Sequence, residues 1–479
     1  MGYNYWNGTE AAHRRVMMKA AGYSDEDIRQ KPHIGIPNSY MAGSPGTAHL
    51  RQVTEAVKEG IWAAGGIPVE FGIPATCGNV ANGADEMKYE QVGRDIVAMS
   101  IEFVSRIHNF DAICCVASCD LIIAGCYLAA CRLDIPALVV TGGSMQAGNY
   151  CGKTVVEADL DAARFSGASE AELLEESVCP SFGACPSMGT ANTMQMLGEV
   201  LNLVMPGTST IPASDNARLR AARTAGKYMV QLARSGKTPK DLITKDVLEN
   251  AIMFDMAVAV LHILAYAYEL GIKLTLADFE KYAKEIYCIN AVIPSGPYTV
   301  VDFHYAGGVK QVMKQLAGKI HTDAPTIYGD TTWGELLDSV KSAPNKVIHS
   351  LEDPVAKEPG LKIMRGNISP AGAIVRPTAV YEEVKYIKGA AKVYECDQDA
   401  YRAIMAGEIV AGDILVIRYE GCKGAPGMKE LMLSIDALIG LGLDKKVGLI
   451  TDARFSGFNY GAIVGHVSPE AYDGGVIAL

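Results

Sequence analysis

The chain has 479 residues, of which 49% are hydrophobic and 20% charged, and its formal net charge is −11. A chain of this length and composition is globular and can form two or three domains with ample core. This negative net charge argues against a broad basic face, which is the kind of surface that binds nucleic acids or anionic membranes. We therefore expect a small-molecule ligand. The sequence shows no signal-like apolar segment and no uninterrupted apolar run of roughly 18 residues, which predicts a cytoplasmic protein without a membrane span. Twelve cysteines at irregular spacing indicate reduced thiols and metal ligands rather than disulfides.

Predicted strands and helices alternate along the first part of the chain. A strand at 33–37 precedes amphipathic helices at 47–64 and 85–108. A β-α-β unit follows, with its strand, helix and second strand at 111–117, 122–132 and 135–143. This alternation predicts an α/β fold with a parallel sheet flanked by helices, and a long helical region follows it at about 187–270.

A polar, proline-rich stretch at about 340–362 predicts a boundary between two domains. Beyond it, "GDILVIRYEG" and "KVGLITDARFSG" indicate a second, strand-rich α/β unit. We therefore predict an N-terminal α/β domain over 1–345. We further predict a smaller, barrel-like, swivelling C-terminal domain over 360–479.

A Cys-Asp pair, Cys119 and Asp120, directly follows the strand predicted at 111–117. Ligands of open α/β sheets bind at the carboxyl ends of strands, so the pair is placed where a ligand would lie. A thiolate suits a soft iron and a carboxylate suits a hard cation, which suggests two adjacent metal centres. The alternative is that Cys119 is a small buried hydrophobe and Asp120 caps the following helix.

Two further segments carry candidate side chains in glycine-containing loops. "CPSFGACPSMGTANTM" places Cys179 and Cys185 before a predicted helix whose backbone N–H groups can stabilise a thiolate, although a tight structural loop explains the same pattern. "ITDARFSG" exposes Ser456 at a strand end, where it acts as a base only if Arg454 or a bound cation stabilises its alkoxide. Glu430 lies near a helix start and is equally consistent with a surface carboxylate.

Together these segments resemble the family that contains dihydroxy-acid dehydratase, phosphogluconate dehydratase and the sugar-acid dehydratases, and the dihydroxy-acid branch is the most similar. The similarity extends over nearly the whole chain and includes "PNSYMAGSPGTAHLR", "GADEMKYEQVGRDIVAMSIE", "RGNISPAGAIVR" and "GHVSPEA". It implies a hydro-lyase that converts a small 2,3-dihydroxy acid into a 2-oxo acid. In that reaction an iron of an iron–sulfur cluster binds the departing 3-hydroxyl and a serine abstracts the proton at C2.

The resemblance assigns a role to each candidate residue. Cys119 and Cys185 are implied as cluster ligands, and Ser456 as the base. Asp120 and Glu430 are implied as ligands of a magnesium ion that holds the substrate's carboxylate and 2-hydroxyl, since magnesium prefers hard oxygen ligands.

The chain departs from the family pattern at the magnesium site and at the cluster. Leu121 stands where a lysine is usual, whose carbamate ligates magnesium, and Gly78 stands where a further aspartate ligand is usual. Gly46 occupies the position of a third cluster cysteine in two-iron members, whereas Cys77 adjoins the lost aspartate.

These departures lead to one hypothesis about the cofactors. Cys77, Cys119 and Cys185 hold a cluster that is [4Fe–4S] rather than [2Fe–2S], and its open iron binds the substrate by itself. Magnesium would then be dispensable. The alternative for Cys77 is a spare thiol in a loop without a metal role.

Two further differences concern the pocket and the assembly. The stretch at 254–267 lacks the insertion that usually precedes "VLH", and the sequence stops at "GGVIAL", short of the family's usual C-terminus. We expect a reshaped pocket, and a homodimer, a homotetramer or a partner chain that covers an open edge of the C-terminal domain.

Two other classes of function fit parts of the sequence. A non-catalytic relative that acts as a binding or assembly subunit would suit the missing lysine, aspartate and insertion. A thiol or redox enzyme would need a Cys-x-x-Cys pair, which the sequence does not contain. Retention of Ser456, Cys119, Cys185, Asp120 and Glu430 favours the dehydratase.

Overall fold

The structure is a computed structural model, and it describes residues 5–258, 262–341, 343–455 and 459–479. Its architecture is mixed α/β, as the alternation of strands and helices predicts, with one main sheet in each part of the chain. None of the helices in these ranges has the length and apolar composition needed to cross a membrane.

The N-terminal sheet contains four parallel strands in the order β2-β1-β3-β4. They are β1 (His33–Asn38), β2 (Ile67–Gly72), β3 (Ala112–Ala117) and β4 (Ala137–Thr141). Strands β1, β3 and β4 are buried along their whole length, which is typical of a parallel sheet with both faces covered. A separate antiparallel hairpin comprises β5 (Gly148–Tyr150) and β6 (Lys153–Val155).

Helices cover both faces of this sheet. In chain order they are α1 (Ala12–Ala20), α2 (Asp25–Gln30), α3 (Leu50–Ala63), α4 (Tyr89–His108), α5 (Asp120–Leu133), α6 (Glu157–Ser166), α7 (Ala171–Glu175), α8 (Thr190–Val200), α9 (Ala217–Ser235), α10 (Pro239–Leu242), α11 (Lys245–Val258), α12 (Ile263–Glu269), α13 (Leu276–Tyr282), α14 (Val300–Tyr305), α15 (Gly308–Gln315) and α16 (Trp333–Asp338). Helices α3 and α9 pack together on one face. Helices α4, α5, α8 and α11 contribute to the larger core on the other face.

The C-terminal sheet contains six strands in the linear order β7-β8-β14-β12-β10-β9. The elements of this part are β7 (Lys362–Met364), β8 (Gly372–Val375), β9 (Ala391–Tyr394), α17 (Asp397–Met405), β10 (Ile414–Ile417), β11 (Glu430–Leu431), α18 (Leu433–Gly440), β12 (Gly448–Thr451), β13 (Arg454–Phe455) and β14 (Ala462–Ser468). Strands β9, β10, β12 and β14 are parallel, whereas β8 and β7 are antiparallel additions.

The prediction that the C-terminal domain is barrel-like is wrong, because its six strands form an open sheet. A closed barrel would require β7 to pair with β9, but these strands are the two edges of an open sheet within the described residues. Strand β7 has only three residues and pairs with β8, so it offers little length for closure. The described residues between α16 and β7 contain no helix or strand, and this stretch coincides with the domain boundary that the sequence predicts.

Candidate active site

The predicted cysteine and carboxylate residues surround one small cavity of about 50 Å³. Its wall includes all the predicted cluster and magnesium ligands, namely Cys77, Cys119, Cys185, Asp120 and Glu430. The cavity lies beyond the carboxyl end of β3, which is where the position of the Cys-Asp pair predicts a ligand site. Ser456 lies outside the described residues.

The turn from β3 into α5 positions Cys119 and Asp120. Strand β3 ends at Ala117 and α5 begins at Asp120 itself, so Cys119 is the N-cap residue and makes no side-chain cap hydrogen bond. The alternative that Asp120 caps this helix is therefore wrong. The backbone φ of Cys119 is +71°, a left-handed conformation that costs energy for a residue with a Cβ atom. Such strain persists where the surrounding structure enforces it, and it is most common at functional sites.

The thiols of Cys77 and Cys119 form a hydrogen-bonded pair. This contact lowers the pKa of Cys77 and, together with burial, raises that of Cys119. Burial, followed by the carboxylate of Glu157, raises the pKa of Cys185. Three ionised thiols are thus unfavourable here unless positive charge lies among them, and iron bound by thiolates supplies that charge.

Two contacts help to position the sulfur atoms of Cys119 and Cys185. A Cβ atom on Gly46 would lie 2.7 Å from the Sγ atom of Cys119, so glycine at this position leaves the sulfur in place. Asn79 donates a hydrogen bond from Nδ2 to the Sγ atom of Cys185 at 3.5 Å. The donor set and its surroundings therefore fit a cluster held by three cysteines.

Cys179, the other cysteine of the glycine-rich loop, has different surroundings. It is exposed and donates its S–H to Glu157 at 3.6 Å, and it is absent from the described wall of the cavity. Both thiols of this loop hydrogen-bond with Glu157, but within the described residues Cys185 is the one that lines the cavity with Cys77 and Cys119.

A third carboxylate, which the sequence analysis did not identify, joins Asp120 and Glu430. One oxygen of Glu90 lies within 4.8 Å of an oxygen of each of these two residues. Glu90 is 8% exposed and lies on the buried face of α4, seven residues before the core residue Val97. The signal that could have revealed Glu90 is its place on the helix face that carries the core residues. A carboxylate on such a face is buried, and buried carboxylates are paired or bind metals.

Arg454 joins the carboxylates through the short parallel ladder of β11 and β13. This ladder pairs Glu430 with Arg454 in the backbone register. The guanidinium contacts Oε2 of Glu430 at 2.7 Å and also contacts Oε2 of Glu90. Burial and the neighbouring Asp120 raise the pKa of Glu90 to about 8, even though Arg454 opposes that shift. Negative charge is therefore in excess at this corner of the cavity.

A larger cavity of about 360 Å³ adjoins the small one and shares Gly189 and Thr190 with it. Its polar wall includes three arginines and two histidines, namely Arg94, Arg376, Arg454, His262 and His466, and apolar side chains complete the wall. Such a cavity suits a small organic anion.

The sequence matches two family models that together span most of the chain. The N-terminal model of the dihydroxy-acid/6-phosphogluconate dehydratases matches residues 31–335, and the C-terminal model matches residues 346–479. The chain belongs to this dehydratase family. The resemblance predicted from the sequence motifs is confirmed, and the protein is an enzyme of the hydro-lyase class.

Individual members of the family are similar over nearly the whole chain. Dihydroxy-acid dehydratases from Caldanaerobacter subterraneus subsp. tengcongensis and Ignicoccus hospitalis are each 42% identical over 98% of this chain and 87% of their own. The dihydroxy-acid dehydratase from Pyrococcus abyssi is 42% identical over 98% of this chain and 88% of its own. The family relationship supports an enzyme over a non-catalytic subunit.

Proposed function

We propose that this dehydratase depends on an iron–sulfur cluster and converts a small acid with hydroxyl groups at C2 and C3 into a 2-oxo acid. The observation that carries the proposal is the convergence of Cys77, Cys119 and Cys185 on one cavity beside a set of carboxylates. Three cysteines leave one iron of a [4Fe–4S] cluster open to the substrate, and Gly46 stands where two-iron members carry a cysteine, so we propose [4Fe–4S] rather than [2Fe–2S].

The chemistry that such a cluster supplies when bound is Lewis acidity toward the departing 3-hydroxyl. The chain's own residues orient the substrate and move its proton. Ser456, which follows Arg454 by two positions in the sequence, takes the proton from C2. Loss of the C2 proton and the C3 hydroxyl releases water and leaves an enol, which becomes the 2-oxo acid.

The larger cavity supports an acid as the substrate. Arg376 is 7% exposed, donates to Ser295 at 3.5 Å, and has no carboxylate partner within the described ranges. The residues outside those ranges include no Asp or Glu. A buried guanidinium is costly without a counter-charge and suits bidentate binding of a carboxylate, so Arg376 is suited to hold an anionic group of the substrate.

Anaerobic purification and a substrate panel test the proposal. We expect a brown protein with iron, broad absorbance near 400 nm and release of a 2-oxo acid from at least one 2,3-dihydroxy acid of the panel. Ser456→Ala should retain the iron but lose turnover. A colourless, iron-free protein that is active, or full activity in Ser456→Ala, would contradict the proposal.

We also propose that the protein acts in the cytoplasm, where thiols stay reduced, and that it assembles as a homodimer or a homotetramer. Helix α4 supports assembly through a stripe of exposed apolar side chains, formed by Val92, Ile96, Met99, Phe103 and Ile107. Four of these positions are symmetric about the midpoint between residues 99 and 100, so two copies of α4 can pair antiparallel with Phe103 opposite Ile96 and Val92 opposite Ile107. Symmetric self-pairing of this kind favours a second copy of this chain over an unrelated partner.

Sedimentation of the Phe103→Glu variant tests the assembly. The variant should dissociate to a smaller species, whereas the control Met17→Glu, at an exposed apolar residue of α1, should not. Equal sedimentation of both variants and the unmodified protein would exclude α4 as the contact surface.

A further inference from the structure

The aspartate that the family pattern places at residue 78 is missing, and another side chain occupies its space. Gly78 lies in the wall of the small cavity, next to Cys77. A Cβ atom on Gly78 would collide with the carboxylate of Glu90, and the nearest atom would be Oε1. An aspartate at residue 78 and the observed Glu90 side chain therefore cannot occupy this corner together.

Helix α4 holds Glu90 in that space. Glu90 lies in the first turn of α4, on the face that packs into the core through Val97 and Ile101. Its Oε2 atom contacts Arg454, whereas Oε1 is the atom nearest to Gly78. One oxygen of the carboxylate is thus held by the guanidinium, and the other faces the space beside Gly78.

The charges around Glu90 favour a divalent cation. Within the described ranges, Arg454 is the cationic side chain in ion-pair contact with Glu90 and Glu430, and Asp120 has no ion pair there. Ionisation of all three carboxylates would leave two negative charges beyond the one guanidinium, and buried charges that remain uncompensated are costly. A magnesium-like ion balances those charges with the oxygen ligands that it prefers.

An unsatisfied hydroxyl provides a second and independent indication of a polar occupant. Ser187 is 1% exposed and lies in the wall of the same cavity. Its Oγ atom has no hydrogen-bond partner within the described residues. A buried hydroxyl left in this state costs about 1–3 kcal/mol, so the cavity is suited to a ligand or ligand-bound water that bonds with it.

We propose that Glu90, together with Asp120 and Glu430, forms a hard-cation site, and that its carboxylate replaces the aspartate lost at Gly78. The inference rests on the proposed function, because the cation would hold the substrate acid beside the cluster. It changes the expectation drawn from the sequence: the oxygen ligand has moved from the loop after β2 to the first turn of α4, and the cation site is retained.

Binding of Mn²⁺, a spectroscopic substitute for Mg²⁺, tests the role of Glu90 in the anaerobically purified protein. Titration followed by electron paramagnetic resonance should show one tight site in the unmodified protein. Glu90→Gln, which keeps the shape of the side chain, should weaken that site about tenfold or more. The control Glu86→Gln removes a nearby exposed carboxylate and should bind Mn²⁺ like the unmodified protein. Equal binding by the two variants, or no Mn²⁺ site in the unmodified protein, overturns the proposal.

Moving the carboxylate from residue 90 to residue 78 provides a second test. It guards against the possibility that a single variant loses Mn²⁺ only because it folds poorly. Gly78→Asp alone should weaken the Mn²⁺ site, because the new side chain collides with Glu90. Adding Gly78→Asp to Glu90→Ser should instead restore Mn²⁺ binding, since the carboxylate then comes from residue 78. Failure of this restoration overturns the shared position. Iron is measured in the same samples: iron-free protein throughout contradicts the cluster, whereas normal iron with unaltered Mn²⁺ binding contradicts only the role of Glu90.

Discussion

The sulfur side and the carboxylate side of the small cavity are built from different parts of the chain. Cys77, Cys119 and Cys185 all belong to the N-terminal part, in loops after β2 and β3 and before α8. The carboxylate side also needs Glu430 and Arg454, which come from the β11–β13 ladder. The proposed sulfur ligands therefore all come from one part of the molecule, whereas the proposed cation site also needs side chains from the other part.

Replacement of Cys119 by serine should have the largest effect on the sulfur side. Cys119 lies at the centre of that side, hydrogen-bonded to Cys77 and in contact range of Gly46. Serine keeps the size of the side chain but lacks the soft donor that iron prefers, so nearly all iron and the absorbance near 400 nm should be lost. The control Cys151→Ser, at an exposed cysteine, should keep its iron. Normal iron content in Cys119→Ser would exclude this residue as a ligand.

Replacement of Arg454 by methionine should affect stability more than iron. It leaves Glu90 and Glu430 buried without their guanidinium, and breaking a buried ion pair from one side costs about 3–5 kcal/mol. Anaerobic denaturant unfolding measures this loss. The control Arg223→Met breaks an ion pair with Glu59 in which both side chains are exposed, and should cost about 1 kcal/mol or less.

The iron content of Arg454→Met sharpens the comparison between the two sides. If the sulfur ligands assemble independently, the folded fraction of the variant should retain its iron. Complete loss of iron from folded Arg454→Met would show that the cluster ligands depend on the C-terminal part.

The architecture could be predicted because its periodic patterns are strong. The buried strands β1, β3 and β4 and the helices between them lie where the apolar runs and amphipathic periods indicate. The region at 187–270 was predicted only as helical, and the structure divides it into helices α8 to α12. Whether β7 and β9 pair and close the C-terminal sheet depends on long-range strand pairing, which no local sequence pattern encodes.

The two sides of the cavity differ in how much of them the sequence could reveal. Cysteines in glycine-rich loops and at a strand end stand out, so the sequence identified Cys119 and Cys185 as candidates, and the family resemblance then implied their role. Glu90 did not stand out, because a single glutamate in an amphipathic helix is usually exposed. Its role depends on contacts with Arg454, which lies 364 residues away in the chain.

Replacement of Gly46 by alanine should have a smaller effect, again on the sulfur side. The added Cβ atom would lie 2.7 Å from the Sγ atom of Cys119, so the sulfur or the loop must move. Overpacking of this kind costs about 1–3 kcal/mol, and we expect a partial loss of iron and a lower unfolding midpoint. The control Gly43→Ala has only a 3.9 Å contact with Met41 and should match the unmodified protein. Full iron content and stability in Gly46→Ala would show that Cys119 does not need this space.

Replacement of Asn79 by alanine should produce the smallest change. It should alter the reduction potential of the cluster but not the iron content of the protein. The Nδ2 hydrogen bond to the Sγ atom of Cys185 stabilises negative charge on that sulfur, and this favours the reduced state of a cluster bound there. Its loss should lower the reduction potential while iron content stays the same, which anaerobic redox titration can measure. Asn82→Ala, in the same segment, removes a side chain that bonds to Asp436 instead of to sulfur and should leave the potential unchanged. Equal potentials in both variants would show that this hydrogen bond does not tune the sulfur side, whose redox properties would then depend on burial and the three cysteines.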